Sequence, residues 1–203
     1  IEFRRIETGN REVRVESLNV SSIVKGIAKT FVEMAKSRNI TFLSKIPEQV
    51  MWNSDKGFLN TIIINLISNA FKYTPDGQSI KIEVDTSREN MLALRVANEG
   101  STIKEKDFQY IFNRYAILDN FENQDEKNFS RNGLGLAISY NMAKLLNGTL
   151  KVENTPDGWV MFTLTLPVME LTTGVSETKR LTAEYIPKID TQPILKLPQY
   201  EFD

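Results

Sequence analysis

The chain contains no cysteine and no histidine among its 203 residues. The first absence excludes a disulfide framework, a thiolate nucleophile and a Cys-ligated zinc site, and fits a reducing cytoplasm. The second removes Ser–His and Cys–His catalysis and every His-based metal site. Any chemistry here falls to carboxylates, amides, lysines, backbone groups or a bound metal. Neither sign of charge is in excess: 25 Lys and Arg stand against 26 Asp and Glu, a formal net charge of -1. No basic field draws in nucleic acid or an anionic membrane, and no nucleic-acid partner is expected. Also missing is an apolar run of the ~18–20 residues that a membrane span needs. There is no start methionine and no apolar leader. The chain reads as a piece of a longer protein.

What is present suits a globular domain: 41% of residues are apolar and 25% charged. The length allows one domain with some residues to spare. Residues 1–8 read as the last turns of a helix stopped at Gly9-Asn10. "REVRVESLN" alternates as a strand does. One helix follows, with Ser21 as its N-cap and Ile23, Ile27, Phe31 and Met34 on one face. "ITFLSKI" and "QVMWN" read as strands. Asp55 then caps a long helix to about Tyr73, closed by the turn Thr74-Pro75-Asp76-Gly77. "SIKIEVDT" and "MLALRVAN" predict a hairpin. "KEKDFQYIF" predicts a short helix, 113–132 is polar and irregular, and "GLGLAISYNMAKLLNG" predicts a helix ending at Gly148. A last hairpin turns at Pro156-Asp157-Gly158. The mixed order implies an α/β layer, one mixed sheet with helices on one face. Residues 168–203, broken by Pro187, Pro193 and Pro198, read as a linker or tail.

The stretch "INLISNAFKYTPDG" poses a chemical question. At ~100° per residue, Asn65 and Asn69 lie about 40° apart with Lys72 about 20° to the other side. Leu59, Ile62, Ile63, Leu66, Ile67 and Ala70 fill the neighbouring arc. A solvated stripe is the competing reading. Against it, Asn costs roughly 0.5 kcal/mol in a helix relative to Ala. An amide oxygen is a suitable hard ligand for Mg²⁺, which keeps few protein ligands beside waters and phosphates. Lys72, one turn on, would neutralise phosphate charge. "RNGLGLAIS" offers the other half: Gly133 and Gly135 open a helix whose free N–H groups and dipole favour an anion. "RVANEGSTI" runs a strand into a glycine turn, where Asn98 could accept from an adenine amino group and Gly100 would let a base lie close. Each stretch alone reads as ordinary structure; their co-occurrence in this order carries the signal.

In that order, "NLISNAFKYTPDG", "VANEGSTI", "IFNRY" and "NGLGLAIS" resemble the N, G1, F and G2 boxes of the ATP-binding catalytic domain of sensor histidine kinases. "GTLKVENTPDGWVMFTLTLP" is similar to that domain's last hairpin. The resemblance runs from about Val13 to Pro167. It implies the Bergerat fold, an α/β (α+β) two-layer sandwich with a mixed, mostly antiparallel sheet and helices on one face. It implies ATP and Mg²⁺ as cofactors. Asn69 would hold the metal, with Asn65 beside it. Lys72 and Tyr73 would contact phosphates and nucleotide. Asn98, Gly100 and Ile103 would line the base pocket. Phe112 and Arg114 come from the F box, 113–132 would be the ATP lid, and Arg131, Gly133, Leu134, Gly135 and Leu136 would close over the phosphates. Asn65, Lys72 and Arg114 are the candidates for catalysis. ATP-hydrolysing relatives carry a glutamate where this chain has Asn65, so the γ-phosphate should go to a histidine rather than to water.

The resemblance divides the chain into the end of a dimerisation and phosphoacceptor helix (1–10), the catalytic domain (11–167) and a tail toward a receiver domain (168–203). It implies as partners a histidine-bearing dimerisation domain of the same parent and a response regulator or receiver. The parent would be a membrane-attached homodimer with this domain in the cytoplasm. Four positions depart from the pattern: Asn98 replaces an aspartate, Thr102 the second glycine of the G1 box, Arg131 the first glycine of the G2 box, and Trp159-Val160 a Gly-Thr pair. Two rivals therefore stand beside a phosphate-donating domain: a non-catalytic nucleotide-binding or signal-transmitting relative, and an ATPase of the same superfamily.

Overall fold

The computed structural model describes residues 12–100, 102–108, 110–113 and 134–172, all within one unit, Glu12–Lys179. The helical turns expected at 1–8, the lid from residue 114 onward and the tail beyond Thr172 lie outside the described residues.

Only the end of "REVRVESLN" becomes a strand, β1 (Glu16–Asn19). It pairs antiparallel with β3 (Met51–Ser54), and the two form a separate small sheet rather than joining the main one. The expected single helix is two. The first, α1 (Val20–Lys29), is capped by Asn19, whose side chain accepts from Ser22 N; Ser21 is instead a buried residue of its first turn. At Thr30 both the main-chain N–H and Oγ1 turn back to Ile27 O, tightening the end of the helix. The chain then bends into α2 (Val32–Ser37). The bend lets Phe31 stack on Phe71, ring centroids 5.2 Å apart, while Phe42 meets Phe71 edge-on at 5.3 Å. The half-buried Ile23, Ile27 and Met34 flank the deeper Val20, Val24 and Ala35.

The main sheet has five strands in the order β2-β4-β5-β7-β6: β2 (Thr41–Lys45), β4 (Ser79–Asp85), β5 (Met91–Glu99), β7 (Trp159–Pro167) and β6 (Thr149–Asn154). Only β2 and β4 run parallel, because a long helix crosses between them. The hairpins β4–β5 and β6–β7 form as their period-2 patterns require. One face buries Ile80, Ile82, Val84, Leu92, Leu94, Val96, Phe162, Leu164 and Leu166. The other carries an ion-pair row in which Lys45 meets Glu83 at 3.1 Å and Arg95 meets Asp85 at 3.2 Å.

The crossover is α3 (Lys56–Tyr73). Asp55 caps it, one carboxylate oxygen accepting from Phe58 N and the other from Arg14 N, both at 2.9 Å. Phe58, Leu59, Ile62, Ile63, Leu66, Ile67, Ala70 and Phe71 are buried against the sheet. Each of the large side chains among them contributes about 1.5–3 kcal/mol, which outweighs the poor helix propensity of the asparagines in this helix. Beside it lies α4 (Gly135–Leu145). That helix ends earlier than the glycine suggested. Asn147 takes the left-handed turn (φ 56) and donates to Lys144 O. Gly148 is small for a different reason: a Cβ there would collide with Thr165 O and the Leu166 side chain. "KEKDFQYIF" forms only a 3-10 turn at Glu105–Asp107 and a run of tight turns to Asn113.

Candidate functional site

The polar stripe of α3 faces the start of α4. Asn65 Nδ2 donates at 3.0 Å to Gly135 O and at 3.0 Å to Ser139 Oγ, and Ser139 is fully buried. A Cβ on Gly135 would stand 3.5 Å from the Asn65 carboxamide, so the two helices touch at this point. The polar stripe of α3 and the first turn of α4 therefore meet, through the Asn65 amide nitrogen and the Gly135 carbonyl. The α4 N-terminus differs chemically from those of α1 and α3. Its N-cap is Leu134, which supplies no side-chain cap, whereas Asn19 and Asp55 cap the other two. Gly135 and Leu136 thus open a helix whose first N–H groups have no side-chain acceptor among the described residues, the positive end of the helix dipole. No acidic residue lies in its first turn.

Asn69 is half-buried one turn beyond Asn65, and its carboxamide makes no hydrogen bond among the described residues. No group of three or more His, Cys, Asp or Glu among the described residues could hold a metal. A cation at this site would rely on amide oxygens, a donor set that suits magnesium bound largely through water and phosphate. Lys72 lies in the last turn of α3, with Nζ 5.1 Å from the centre of the Tyr73 ring.

The end of α3 is held from outside the helix by a residue that sequence reasoning missed. Arg38 Nη1 donates to Phe71 O (2.5 Å), Nη2 to Thr74 O (2.7 Å) and Nε to Asp76 Oδ1 (2.7 Å). Gly77 N donates back to Arg38 O (3.1 Å). The guanidinium thus satisfies two carbonyls at the helix end and fixes the Thr74–Gly77 turn. Nothing local in "AKSRN" announces a reach of more than thirty residues. Pro75, at the tip of this turn, abuts the strand end of β5. Gly100 has φ +90, and a Cβ there would come within 2.6 Å of Pro75 Cδ. Both facts demand glycine.

Asn98 is buried, 2% exposed, at the end of β5. In register it faces Ile80 on β4 and Val160 on β7, so its side chain points to the helix-covered face. Its Nδ2 lies 3.5 Å from Glu99 O. Ile103 is buried just beyond the glycine turn. Phe112 stacks on Tyr140 of α4 (centroids 5.0 Å, planes 19° apart) and meets Phe162 edge-on at 6.4 Å. It anchors the segment that leads to residue 114. The structure thus brings Asn65 against Gly135, with Leu134 and Leu136 on either side of that glycine; Asn69 lies one turn further along α3, and Lys72 and Tyr73 at its end. Asn98, Gly100 and Ile103 stand at the neighbouring sheet end. Arg114, Arg131 and Gly133 lie outside the described residues. A groove between α2 and β2, lined by Val32, Lys36, Asn39 and Phe42, holds none of the candidates.

The fold is a two-layer sandwich, a mixed and mostly antiparallel sheet with helices on one face. Residues 54–170 match the family described as histidine kinase-, DNA gyrase B-, and HSP90-like ATPase, and the chain belongs to that family. Among curated relatives, histidine kinase P4 of Formosa agariphila is 29% identical over 170 residues, 83% of this chain and 12% of that protein. Sensor histidine kinase TmoS of Ectopseudomonas mendocina is 31% identical over 150 residues, 74% of this chain and 15% of TmoS. The chain therefore spans a small part of the length of these relatives. The solved catalytic domain of histidine kinase ThkA aligns with a TM-score of 0.63 at 23% identity, covering 76% of this chain and 97% of that one. The fold is that of histidine kinase catalytic domains. No helix among the described residues is long and apolar enough to cross a membrane.

Proposed function

We propose that this domain binds ATP with magnesium and donates the γ-phosphoryl group to a histidine carried outside this chain. The observation that supports the reading best is the bond from Asn65 Nδ2 to Gly135 O, which sets the polar stripe of α3 against the first turn of α4, whose N-cap Leu134 offers no side-chain acceptor. Asn69, with Asn65 beside it, would hold the metal, which neutralises phosphate charge when bound. Lys72 and the α4 N-terminus bind and orient the phosphates. Asn98, Gly100 and Ile103 receive the base. Arg114, Arg131 and Gly133 complete the phosphate side. Transfer breaks the bond between the γ-phosphorus and the bridging oxygen and forms one from phosphorus to an imidazole nitrogen, releasing ADP. Positioning and charge neutralisation dominate such a step. Asn65 cannot act as a base toward water, and the chain's lack of histidine requires an acceptor elsewhere.

In this reading residues 1–10 end the phosphoacceptor hairpin and 168–203 lead toward a receiver domain, in a membrane-attached homodimeric parent whose catalytic domain is cytoplasmic. One observation favours the non-catalytic reading instead: Asn98 is neutral where a charged acceptor would grip adenine more firmly. The test mixes the chain with γ-labelled ATP, magnesium and a separately produced phosphoacceptor hairpin. Label on the hairpin is the expected result. Nucleotide binding without label supports the non-catalytic reading, and sustained phosphate release by the chain alone supports an ATPase.

A further inference from the structure

Ile103 follows the glycine turn at the end of β5, yet its main chain belongs to neither sheet nor helix. It is buried, 8% exposed, so its N–H and C=O need partners. Both find them on one side chain. Asn154 Oδ1 accepts from Ile103 N at 3.1 Å, and Asn154 Nδ2 donates to Ile103 O at 2.6 Å, across 51 residues of sequence. No other hydrogen bond to the Ile103 main chain exists among the described residues. The carboxamide therefore does what a neighbouring strand would do. It offers one donor and one acceptor in the spacing of a peptide group, a pairing only Asn or Gln can offer.

Asn154 is well placed for this. It is the last residue of β6 and lies opposite Val160, which lies opposite Asn98 in turn. Directly paired residues share a face. Asn154 and Asn98 thus stand on the same side of the sheet, two strands apart, in one cross-strand row. From that row Asn98 presents its own side chain, while Asn154 holds the backbone of the loop that closes the same end. On the opposite flank Pro75 presses on Gly100. The base-side wall is gripped from both sides.

We propose that Asn154 is a positioning residue for base recognition: its carboxamide holds Ile103 as the wall against which the nucleobase packs. This rests on the nucleotide reading above and adds a residue outside the four boxes. Its consequence is selective. Losing the clamp leaves the phosphate side, built on α3 and α4, untouched.

The experiment titrates wild type and Asn154→Ala with Mg-ATP and with magnesium tripolyphosphate, which has the phosphate chain and no base. The expected result is a loss of about tenfold in ATP affinity, the scale of leaving main-chain groups unpaired, with tripolyphosphate affinity unchanged. Asn154→Asp keeps the acceptor but sets a charge against Ile103 O, and is expected to bind ATP no better than Asn154→Ala. In an Ile103→Ala background, adding Asn154→Ala should cost little more, since the one acts through the other. Equal losses for both ligands, or no loss for ATP, overturn the proposal. Wild-type protein that binds tripolyphosphate and ATP equally overturns the base pocket itself, and wild type that binds neither overturns the nucleotide reading and this proposal with it. Amide exchange on nucleotide-free wild type needs no variant to fold: Ile103 N–H is expected to be protected, and exchange at free-loop rate overturns the clamp.

Discussion

Two asparagines four positions apart on α3 do different work. Asn65 spends its amide nitrogen on α4, whereas Asn69 keeps its carboxamide uncommitted among the described residues. Replacing Asn69 with Ala should therefore abolish magnesium-dependent ATP binding while leaving the melting temperature essentially unchanged. Calorimetric titration with and without magnesium, beside a thermal melt, checks both halves. Asn98 is the second telling residue. A buried carboxamide can accept from an exocyclic amine, but a carboxylate does so with charge assistance worth about 1 kcal/mol more. Asn98→Asp should raise affinity for adenine nucleotides several-fold in the same titration. Weaker binding would show that the base does not sit there.

Among the elements, α3 depends most on help from outside itself. Its start is held by Asp55, and its end by Arg38, which belongs to a different helix–strand junction. Arg38→Met would keep the aliphatic stem and leave the carbonyls of Phe71 and Thr74 without their donor. The expected cost is about 2 kcal/mol, read from denaturant unfolding. The exposed pairing with Asp76 adds little to this. These elements also mark what sequence could and could not reveal. α3, both hairpins and the Thr74–Gly77 turn were legible because their apolar periods and turn residues are local properties. So was the pairing of Asn65 with Gly135, two residue types that fit no bland helix and that the fold brings into contact. The break at Thr30 was not legible. It follows from an aromatic contact between Phe31 and Phe71, forty positions apart in the chain. Nor was the small β1–β3 sheet, since alternation marks a strand without naming its partner. Arg38 and Asn154 stayed hidden for the same reason: their partners lie 33–38 and 51 positions away.

At the scale of the whole molecule, both hairpin turns carry acids that favour the charged form. Asp85 accepts hydrogen bonds from Ser87 and from Arg95, in that order of weight, and its pKa is lowered from 3.8. Asp157 is lowered from 3.8 as well, chiefly by a hydrogen bond from Thr155. A folded-state pKa below the unfolded one gives stability that is fully present above the unfolded value. It is lost as pH falls through the folded one. Both turns should thus weaken together at pH below about 4. Unfolding curves measured from neutral pH into that range should show a flatter acid limb for Asp85→Asn combined with Asp157→Asn than for wild type.

The small sheet has a consequence of another kind. Val15 N donates to Thr172 Oγ1 at 2.7 Å, and Thr172 N donates to Val15 O at 3.1 Å. Trp52 Nε1 and Asn53 Nδ2 fasten the same exit segment at Pro167 O and Met169 O. The domain's way in and way out are therefore laced side by side, and a few added residues would close it into a ring. Such a ring could be reopened at the exposed Arg88-Glu89 bend, which carries none of the candidate residues. A circular permutant cut there should fold and keep its nucleotide affinity, with both new ends freed from whatever the native ones are tethered to.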